Sequence, residues 1–230
     1  MSVHETTAPA CFGRGGGEPY DRALHTGGPL LLHEDATAGG EPGEARSVDV
    51  RRFLSRADRV ERSLLASTQG SVLDVGCGPG RMVAEAHRRG RAALGVDVSP
   101  ASVRVAEARG LSVHHGSVFG PVPSAGAWDV VLLLDGNVGI GGDPTQLLRR
   151  CRQIASPTGV LVVETSPQRH RYHRFTARVT SPSGHGSDAF PWAEVGADPL
   201  LEPAKDAGWS ASREVRRRRR TFVVLAGRAP

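Results

Sequence analysis

The chain has 230 residues, of which 39% are hydrophobic and 23% are charged. This composition suits one α/β domain with a packed core and excludes a globally disordered chain. The net charge of +5 comes almost entirely from arginine, since Lys205 is the only lysine. Such an average predicts no nucleic-acid partner, because binding requires basic residues clustered on one face.

The cysteines and the N-terminal residues narrow the class of protein further. Cys11, Cys77 and Cys151 lie far apart with no CxxC pair, which predicts neither a disulfide framework nor a metal site. No basic segment leads into an apolar one near the start, and no apolar run approaches the ~20 residues that span a bilayer. We therefore expect a cytoplasmic protein that does not contact membranes.

The first 70 residues form two predicted regions. Residues 1–19 are rich in Gly, Pro and small polar residues, which is typical of a flexible tail. Residues 20–70 form an N-terminal extension, in which the apolar run Pro29–Leu32 suggests a segment held against the body of the protein. From Val48 to Leu65 apolar residues recur at helical spacing, which predicts one continuous helix.

From residue 71 onward, short apolar runs alternate with helical patterns. This alternation is typical of βαβ units and predicts a three-layer, doubly wound α/β fold with a mostly parallel sheet. Pro100 after Ser99 is typical of the first turn of a helix, and Gly110 ends that helix. The predicted strands begin at Ser71, Ala92, Leu111, Trp128 and Val160, and the helices between them begin at Arg81, Pro100 and Pro144.

The C-terminal part departs from this alternation. Residues 166–188 are polar with little periodicity, and residues 192–209 resemble a last helical region. Two predicted strands, residues 212–215 and 221–228, then flank Arg216 to Arg220, which predicts an antiparallel hairpin and about seven strands in all. The arginine run is interpreted as the solvated turn of that hairpin, with a nucleic-acid-binding patch as the alternative. Residues 71–230 are thus predicted to form one α/β domain.

A glycine-rich segment lies where the first strand meets the first helix. It reads VLDVGCGPGR from Val72 to Arg81. Glycines let the backbone turn sharply and approach a ligand, and the helix that follows offers free N–H groups to an anion. Asp97 ends the second strand about 20 residues later, where a carboxylate can accept hydrogen bonds from both hydroxyls of a ribose.

These motifs resemble those of the class I S-adenosylmethionine-dependent methyltransferases. The resemblance covers roughly residues 51–163 and implies S-adenosylmethionine as cofactor, with S-adenosylhomocysteine as product. It implies that Asp74 lies near the methionine amino group. Tyr20 and Leu30–Leu32 of the extension either cover the cofactor, as N-terminal segments of this family often do, or simply pack against the edge of the sheet. Ser117 departs from the family pattern, since an acid usually stands there to read adenine. The residues expected to bind the cofactor are Asp74, Gly76, Cys77, Gly78, Gly80, Arg81, Asp97, Val98, Ser117, Val118 and Leu134.

The loop after the fourth strand should face the reacting methyl group, because ligands bind beyond the carboxyl ends of the strands. Asp135 and Asn137 are therefore candidate catalytic residues, or they merely shape a Gly-rich turn. His170, and less directly His173, follow the fifth strand and are further candidates for a general base. Their HxxH spacing lacks a third metal ligand, so a basic surface loop is the preferred interpretation.

The leading hypothesis is transfer of a methyl group to an O or N atom of a small-molecule acceptor. The loop after Leu134 lacks the [N/D]-P-P-aromatic signature of enzymes that methylate amino groups of bases, and no Pro-Cys nucleophile is present. Two alternatives remain: an RNA or protein methyltransferase that uses the arginine-rich C-terminal region, and a non-catalytic protein that binds the cofactor. The sequence leaves both monomer and homodimer open.

Overall fold

The structure is a computed structural model that describes residues 10–12, 18–35, 45–182, 184 and 186–227. Most of the predicted tail, residues 1–9 and 13–17, lies outside the described residues, as does residue 228 at the end of the predicted hairpin. Seven α-helices are found in the described part: α1 (Glu18–Thr26), α2 (Val50–Leu54), α3 (Arg59–Ala66), α4 (Arg81–Arg88), α5 (Pro100–Ala108), α6 (Pro144–Ile154) and α7 (Ala197–Asp206).

Eleven strands of the described chain form two sheets. The main sheet has seven strands and the roof sheet, a name used below for the second one, has four. The strands are β1 (Leu30–Glu34), β2 (Arg46–Val48), β3 (Val72–Val75), β4 (Ala93–Asp97), β5 (Val113–His115), β6 (Trp128–Leu133), β7 (Ala155–Thr165), β8 (Tyr172–Thr180), β9 (Phe190–Val195), β10 (Trp209–Arg217) and β11 (Arg220–Gly227).

The main sheet has the order β10-β11-β7-β6-β3-β4-β5. Its strands β7, β6, β3, β4 and β5 pair in parallel, and β11 joins β7 in antiparallel fashion. The predicted doubly wound fold with a C-terminal hairpin is confirmed. Its interior strands are buried on both faces, as in β3 and β6, which explains their continuously apolar sequence. The sheet therefore presents the carboxyl ends of β3, β4, β5 and β6 at one edge.

The roof sheet is the main feature that the sequence did not reveal. Its order is β2-β1-β8-β9, with antiparallel pairing throughout. It joins β1 and β2 of the extension to β8 and β9, and its inner face packs with α1 in one apolar cluster that includes Leu30, Val179 and Phe190. The predicted boundary between the extension and the domain, at residue 70, thus separates β1 from β8, although these two strands pair with each other. The division into domains stays a prediction.

Three expectations about elements were wrong. The expected helix over residues 48–65 is instead the end of β2 followed by two helices, α2 and α3. The break occurs because Asp58 begins α3 with a capping box. The Asp58 carboxylate accepts from the backbone N–H of Glu61, and the Glu61 side chain accepts from the N–H of Asp58. The polar segment after residue 166 contains β8. The expected helical region from residue 192 begins with β9, and only its second half is helical. Among the described residues, no helix has the length and apolar character needed to cross a bilayer.

Candidate active site

A cavity of about 530 Å³ lies between the carboxyl ends of the main-sheet strands and the roof sheet. The glycine-rich loop forms its floor at one end, and apolar side chains of the roof sheet and α2 cover the other. A volume of this size is typical of a small-molecule site. Of the expected site residues, those that line it are Asp74, Gly76, Cys77, Gly78, Arg81, Asp97, Val98, Ser117, Val118, Leu134, Asp135 and Asn137.

The glycine-rich loop turns sharply between β3 and α4. Gly76, Gly78 and Gly80 have φ angles of 66°, 53° and 84°, a region that side chains disfavour. The backbone N–H groups of Gly76 and Cys77 both donate to the carbonyl oxygen of Val96, at 2.8 and 3.2 Å. This holds the loop against β4. Gly80 itself precedes α4 and is not part of the cavity lining.

Asp74 is a buried carboxyl group beneath the loop. Only 4% of its surface is exposed, and no hydrogen-bond donor of the described residues reaches its side chain. Burial raises the pKa of Asp74 to about 8, and Arg81 opposes that shift only in part. The carboxyl group therefore lacks a hydrogen-bond partner among the described residues, and its burial favours the neutral acid.

Asp97 closes β4 and holds the loop from the other side. Its carboxylate accepts from the N–H of Gly78 at 2.7 Å and from the N–H of Ser99 at 2.8 Å. Burial raises the pKa of Asp97, although these hydrogen bonds oppose the shift. A carboxylate has about four acceptor positions, so a further donor can still be bound. Tyr20 of α1 lies nearby, and a Cβ at Gly78 would be 3.5 Å from its hydroxyl oxygen.

The segment after β5 forms the far wall of the same end. The Ser117 hydroxyl accepts from the N–H of Phe119 at 3.2 Å, so it is used within its own turn. Arg150 of α6 donates to the carbonyl oxygens of Val118 and Gly120, at 2.8 and 2.7 Å. One helical turn before Arg150, Gln146 lines the cavity, and no hydrogen bond uses its side chain within the described structure. Sequence analysis missed Gln146, since no motif marks it.

Asp135 is held by arginines. Arg81 and Arg52 donate to its two oxygens at 2.6 and 3.1 Å, and Arg220 lies 4.0 Å away. All three guanidinium groups also bind Glu61, whose side chain is 1% exposed. Burial disfavours the charge of Arg81, but the carboxylates of Asp135 and Glu61 outweigh it and raise the pKa of Arg81.

The backbone of Asp135 is strained as well. Its φ of 54° is uncommon for a residue with a side chain. The N–H of Asp135 donates to Glu164 at 2.9 Å, and Glu164 binds Arg220 at 2.6 and 2.7 Å. Arg220, the last of the arginine run, therefore points inward and supports the site. Arg218 lies in the predicted turn and is exposed.

Asn137 and the two histidines have structural contacts of their own. The Asn137 side-chain amide donates to the carbonyl oxygens of Val75 and Gly76, at 2.8 and 2.9 Å, and so joins two loops of the site. His170 does not enter the cavity: it is 85% exposed and lies 2.8 Å from Asp198. His173 lies on the roof sheet, 3.0 Å from Glu34. Among the described residues, no cluster of three metal ligands is formed.

The other end of the cavity is apolar. Leu32, Val48 and Trp192 of the roof sheet line it together with Phe53 of α2. Phe12 packs on Trp192 with ring centroids 6.0 Å apart. Trp192 can approach so closely because Gly139 has no side chain: a Cβ there would overlap the carbonyl oxygen of Ala193 and come within 2.9 Å of the indole.

A protein-family comparison covers most of the chain. The model described as a methyltransferase domain matches residues 47–206. A ubiquinone biosynthesis O-methyltransferase from Azorhizobium caulinodans is 32% identical over 129 residues, which are 54% of this chain and 49% of that protein. The chain thus spans about half the length of this curated relative.

Solved structures are similar at low sequence identity. A methyltransferase from Bacteroides fragilis in complex with S-adenosyl-L-homocysteine has a TM-score of 0.76 at 20% identity, over 94% of this chain and 95% of that one. A sugar N-methyltransferase from Streptoalloteichus sp. ATCC 53650 has a TM-score of 0.59 at 20% identity, over 100% and 99% of the two chains. Burkholderia thailandensis 1,6-didemethyltoxoflavin-N1-methyltransferase has a TM-score of 0.53 at 17% identity, over 75% and 78%.

The sheet order, the glycine turn with Asp74 and Asp97, and the family match agree with one another. The sequence resemblance is confirmed: the chain belongs to the methyltransferase-domain family and contains a class I S-adenosylmethionine-dependent methyltransferase domain.

Proposed function

We propose that this chain transfers the methyl group of S-adenosylmethionine to a nitrogen or oxygen atom of a small molecule. The observation that carries the proposal is the single cavity that runs from the glycine-rich loop to the apolar roof, because it offers donor and acceptor one shared space. Its polar end is built on Asp74, Asp97 and the loop, and its apolar end on Leu32, Phe53 and Trp192.

The residues at the polar end fit the cofactor. The unpartnered carboxyl of Asp74 suits the cationic amine of the methionine part, and the glycine backbone lets that part approach. Asp97 has acceptor positions left for the two ribose hydroxyls. We assign Gly76, Cys77, Gly78, Val98 and Leu134 to the walls around them.

Gln146 is our candidate for reading adenine in place of the acid that the family usually has at position 117. A carboxamide matches the donor and acceptor edge of adenine, to which glutamine can bind in bidentate fashion. The Ser117 hydroxyl is already used in a backbone hydrogen bond of its own turn, whereas no hydrogen bond uses the Gln146 side chain among the described residues.

Catalysis then rests on position more than on proton transfer. The cofactor supplies an already activated methyl group, so holding the acceptor atom close to it in a site that excludes water provides much of the rate. Asn137 joins the loop after β6 to the glycine-rich loop. The ion pairs of Asp135 fix the direction of the loop after β6. We assign both residues a positioning role and give none to His170, which lies outside the cavity.

Relatives with small acceptors support the proposal. The curated relative is named an O-methyltransferase of ubiquinone biosynthesis, and two similar structures are N-methyltransferases of a sugar and of 1,6-didemethyltoxoflavin. These proteins methylate either nitrogen or oxygen, so the proposal names both atoms.

The test follows the methyl group. Purified protein is incubated with methyl-tritiated S-adenosylmethionine and, separately, with a metabolite extract, total RNA or total protein from the source organism. We expect label in the small-molecule fraction only. Label in RNA or protein favours a macromolecular methyltransferase, and binding of the cofactor without any transfer favours a non-catalytic role; either result contradicts the proposal.

A further inference from the structure

The apolar end of the cavity offers one large flat surface to an acceptor. Trp192 lines it, and Phe12 and Phe190 pack against the indole and against each other, with their centroids 6.0 Å from that of the indole in each case. The Gly139 backbone lies directly beside the indole. A rigid, partly exposed indole of this kind stacks well against another flat ring.

The titratable side chains at the cofactor end do not readily take a proton from the molecule that is methylated. Asp74 and Asp97 lie where the cofactor's amine and ribose would bind. Tyr20 and Cys77 are buried, and burial raises the pKa of both groups, so each keeps its proton at neutral pH. Tyr20 also packs against Phe12 of the apolar end, with ring centroids 5.0 Å apart, but the raised pKa of its phenol keeps it protonated there as well.

The titratable side chains nearer the roof are few. Asp135 binds two guanidinium groups, so taking up a proton would break its ion pairs with Arg81 and Arg52. Cys11 is the other titratable group there. No histidine, lysine or glutamate of the described chain lines the cavity. Apart from the Cys11 thiol, the described site therefore lacks a general base of the kind that an alcohol acceptor benefits from.

We infer that the acceptor is a flat, largely apolar ring that stacks on Trp192 and supplies a lone pair without help from an enzyme base. Such a nucleophile is a ring or aryl-amine nitrogen, or the oxygen of a phenol that is already ionised. The lone pair forms the new bond to the methyl carbon as the carbon–sulfur bond breaks and its electrons stay on sulfur. A phenolate gives a neutral ether, and an aryl amine then loses its proton to water. This inference rests on the proposed function.

The test uses two phenols that differ in acidity and one alicyclic alcohol of similar size. Release of S-adenosylhomocysteine is followed against pH with the full chain. We expect turnover of the phenols, with the half-maximal pH moving by the difference between their own pKa values. The same midpoints should appear in Asp135→Asn and Cys11→Ser, even where the rate falls. One midpoint shared by both phenols, or equal turnover of the alcohol, would overturn the inference.

The stacking surface is tested by replacing the indole. Trp192→Leu should raise the KM for the phenols about tenfold, while Trp192→Phe stays within about threefold, and both should bind S-adenosylhomocysteine as the wild type does. An unchanged KM in Trp192→Leu refutes the inference that the acceptor is a flat ring. The same holds if the protein binds S-adenosylhomocysteine but neither binds nor methylates any ring compound. Loss of S-adenosylhomocysteine binding by the wild type is a different failure and removes the proposed function itself.

Discussion

Asp74 should release a proton when the cofactor binds. Burial raises its pKa to about 8, so before binding at pH 7 a fraction of about 0.9 of the molecules carries the neutral acid. The proposed partner is a cationic amine, which favours the carboxylate over the acid. Binding at pH 7 should therefore expel about 0.9 proton for each cofactor molecule.

Calorimetry measures this release directly. S-adenosylhomocysteine is titrated at pH 7 in two buffers with different heats of protonation, and the two binding enthalpies should differ by about 0.9 of the difference between those heats. The affinity should rise towards tenfold per pH unit below about pH 7 and level off near pH 8, because deprotonation of the acid then no longer opposes binding.

Asp74→Asn is the matched control, since it keeps the shape of the side chain without its charge. The variant should bind with the same enthalpy in both buffers and with little change in affinity between pH 6 and 8. If the wild type releases no proton at pH 7, or if the variant releases as much, the assigned role of Asp74 is wrong.

Three further substitutions test other parts of the site. Gln146→Ala should weaken S-adenosylhomocysteine binding about fivefold through loss of a net hydrogen bond, and an unchanged affinity in calorimetry would remove Gln146 from adenine recognition. Arg220→Ala should lower the free energy of unfolding by about 2–4 kcal/mol, because Glu61 and Glu164 lose a charge partner. The matched substitution of the exposed Arg219 by Ala should lower it by less than about 0.5 kcal/mol. Equal losses in urea unfolding would show that Arg220 belongs to a solvated turn like the other arginines of the run. Gly139→Ala should lower the free energy of unfolding by about 1–3 kcal/mol, because the added Cβ overlaps with β9. Gly120→Ala is the control, since its Cβ would make an ordinary contact. Equal melting curves for the two variants would show that the roof sheet shifts without cost.

The main sheet could be predicted because its signals are local. The strands β3, β4 and β6 are short apolar runs bounded by glycine or a helix cap, and Asp74 and Asp97 stand at fixed distances from the turns that use them. Strand ends, glycines and the family resemblance therefore predicted most of the cofactor end, and all but Gly80 of the expected cofactor residues line the cavity, whereas Gln146 was missed.

The roof sheet could not be predicted because its pairings are distant. Leu32 of β1 pairs with Val179 of β8, almost 150 residues later in the chain. The inner face of β8 does alternate, with Phe175, Ala177 and Val179 directed inward, but arginine and threonine between them hide the pattern in a polar segment. The acceptor end, including Trp192, was missed for the same reason.

The roles of Asp135 and His170 depended on contacts that no local pattern carries. Both follow strands whose carboxyl ends face the ligand, yet Asp135 is held by arginines from three separate elements and His170 turns outward to Asp198. The break before α3 had a readable signal, since Asp58 and Glu61 have the spacing of a capping box.

A crystal structure of the full chain with S-adenosylhomocysteine tests the central claim most directly. We predict electron density for the ligand across the carboxyl ends of β3 and β4, with its amine at Asp74, its ribose hydroxyls at Asp97 and its sulfur facing the apolar roof. A ligand bound elsewhere, or one in the cavity with its ribose away from Asp97, would contradict this account.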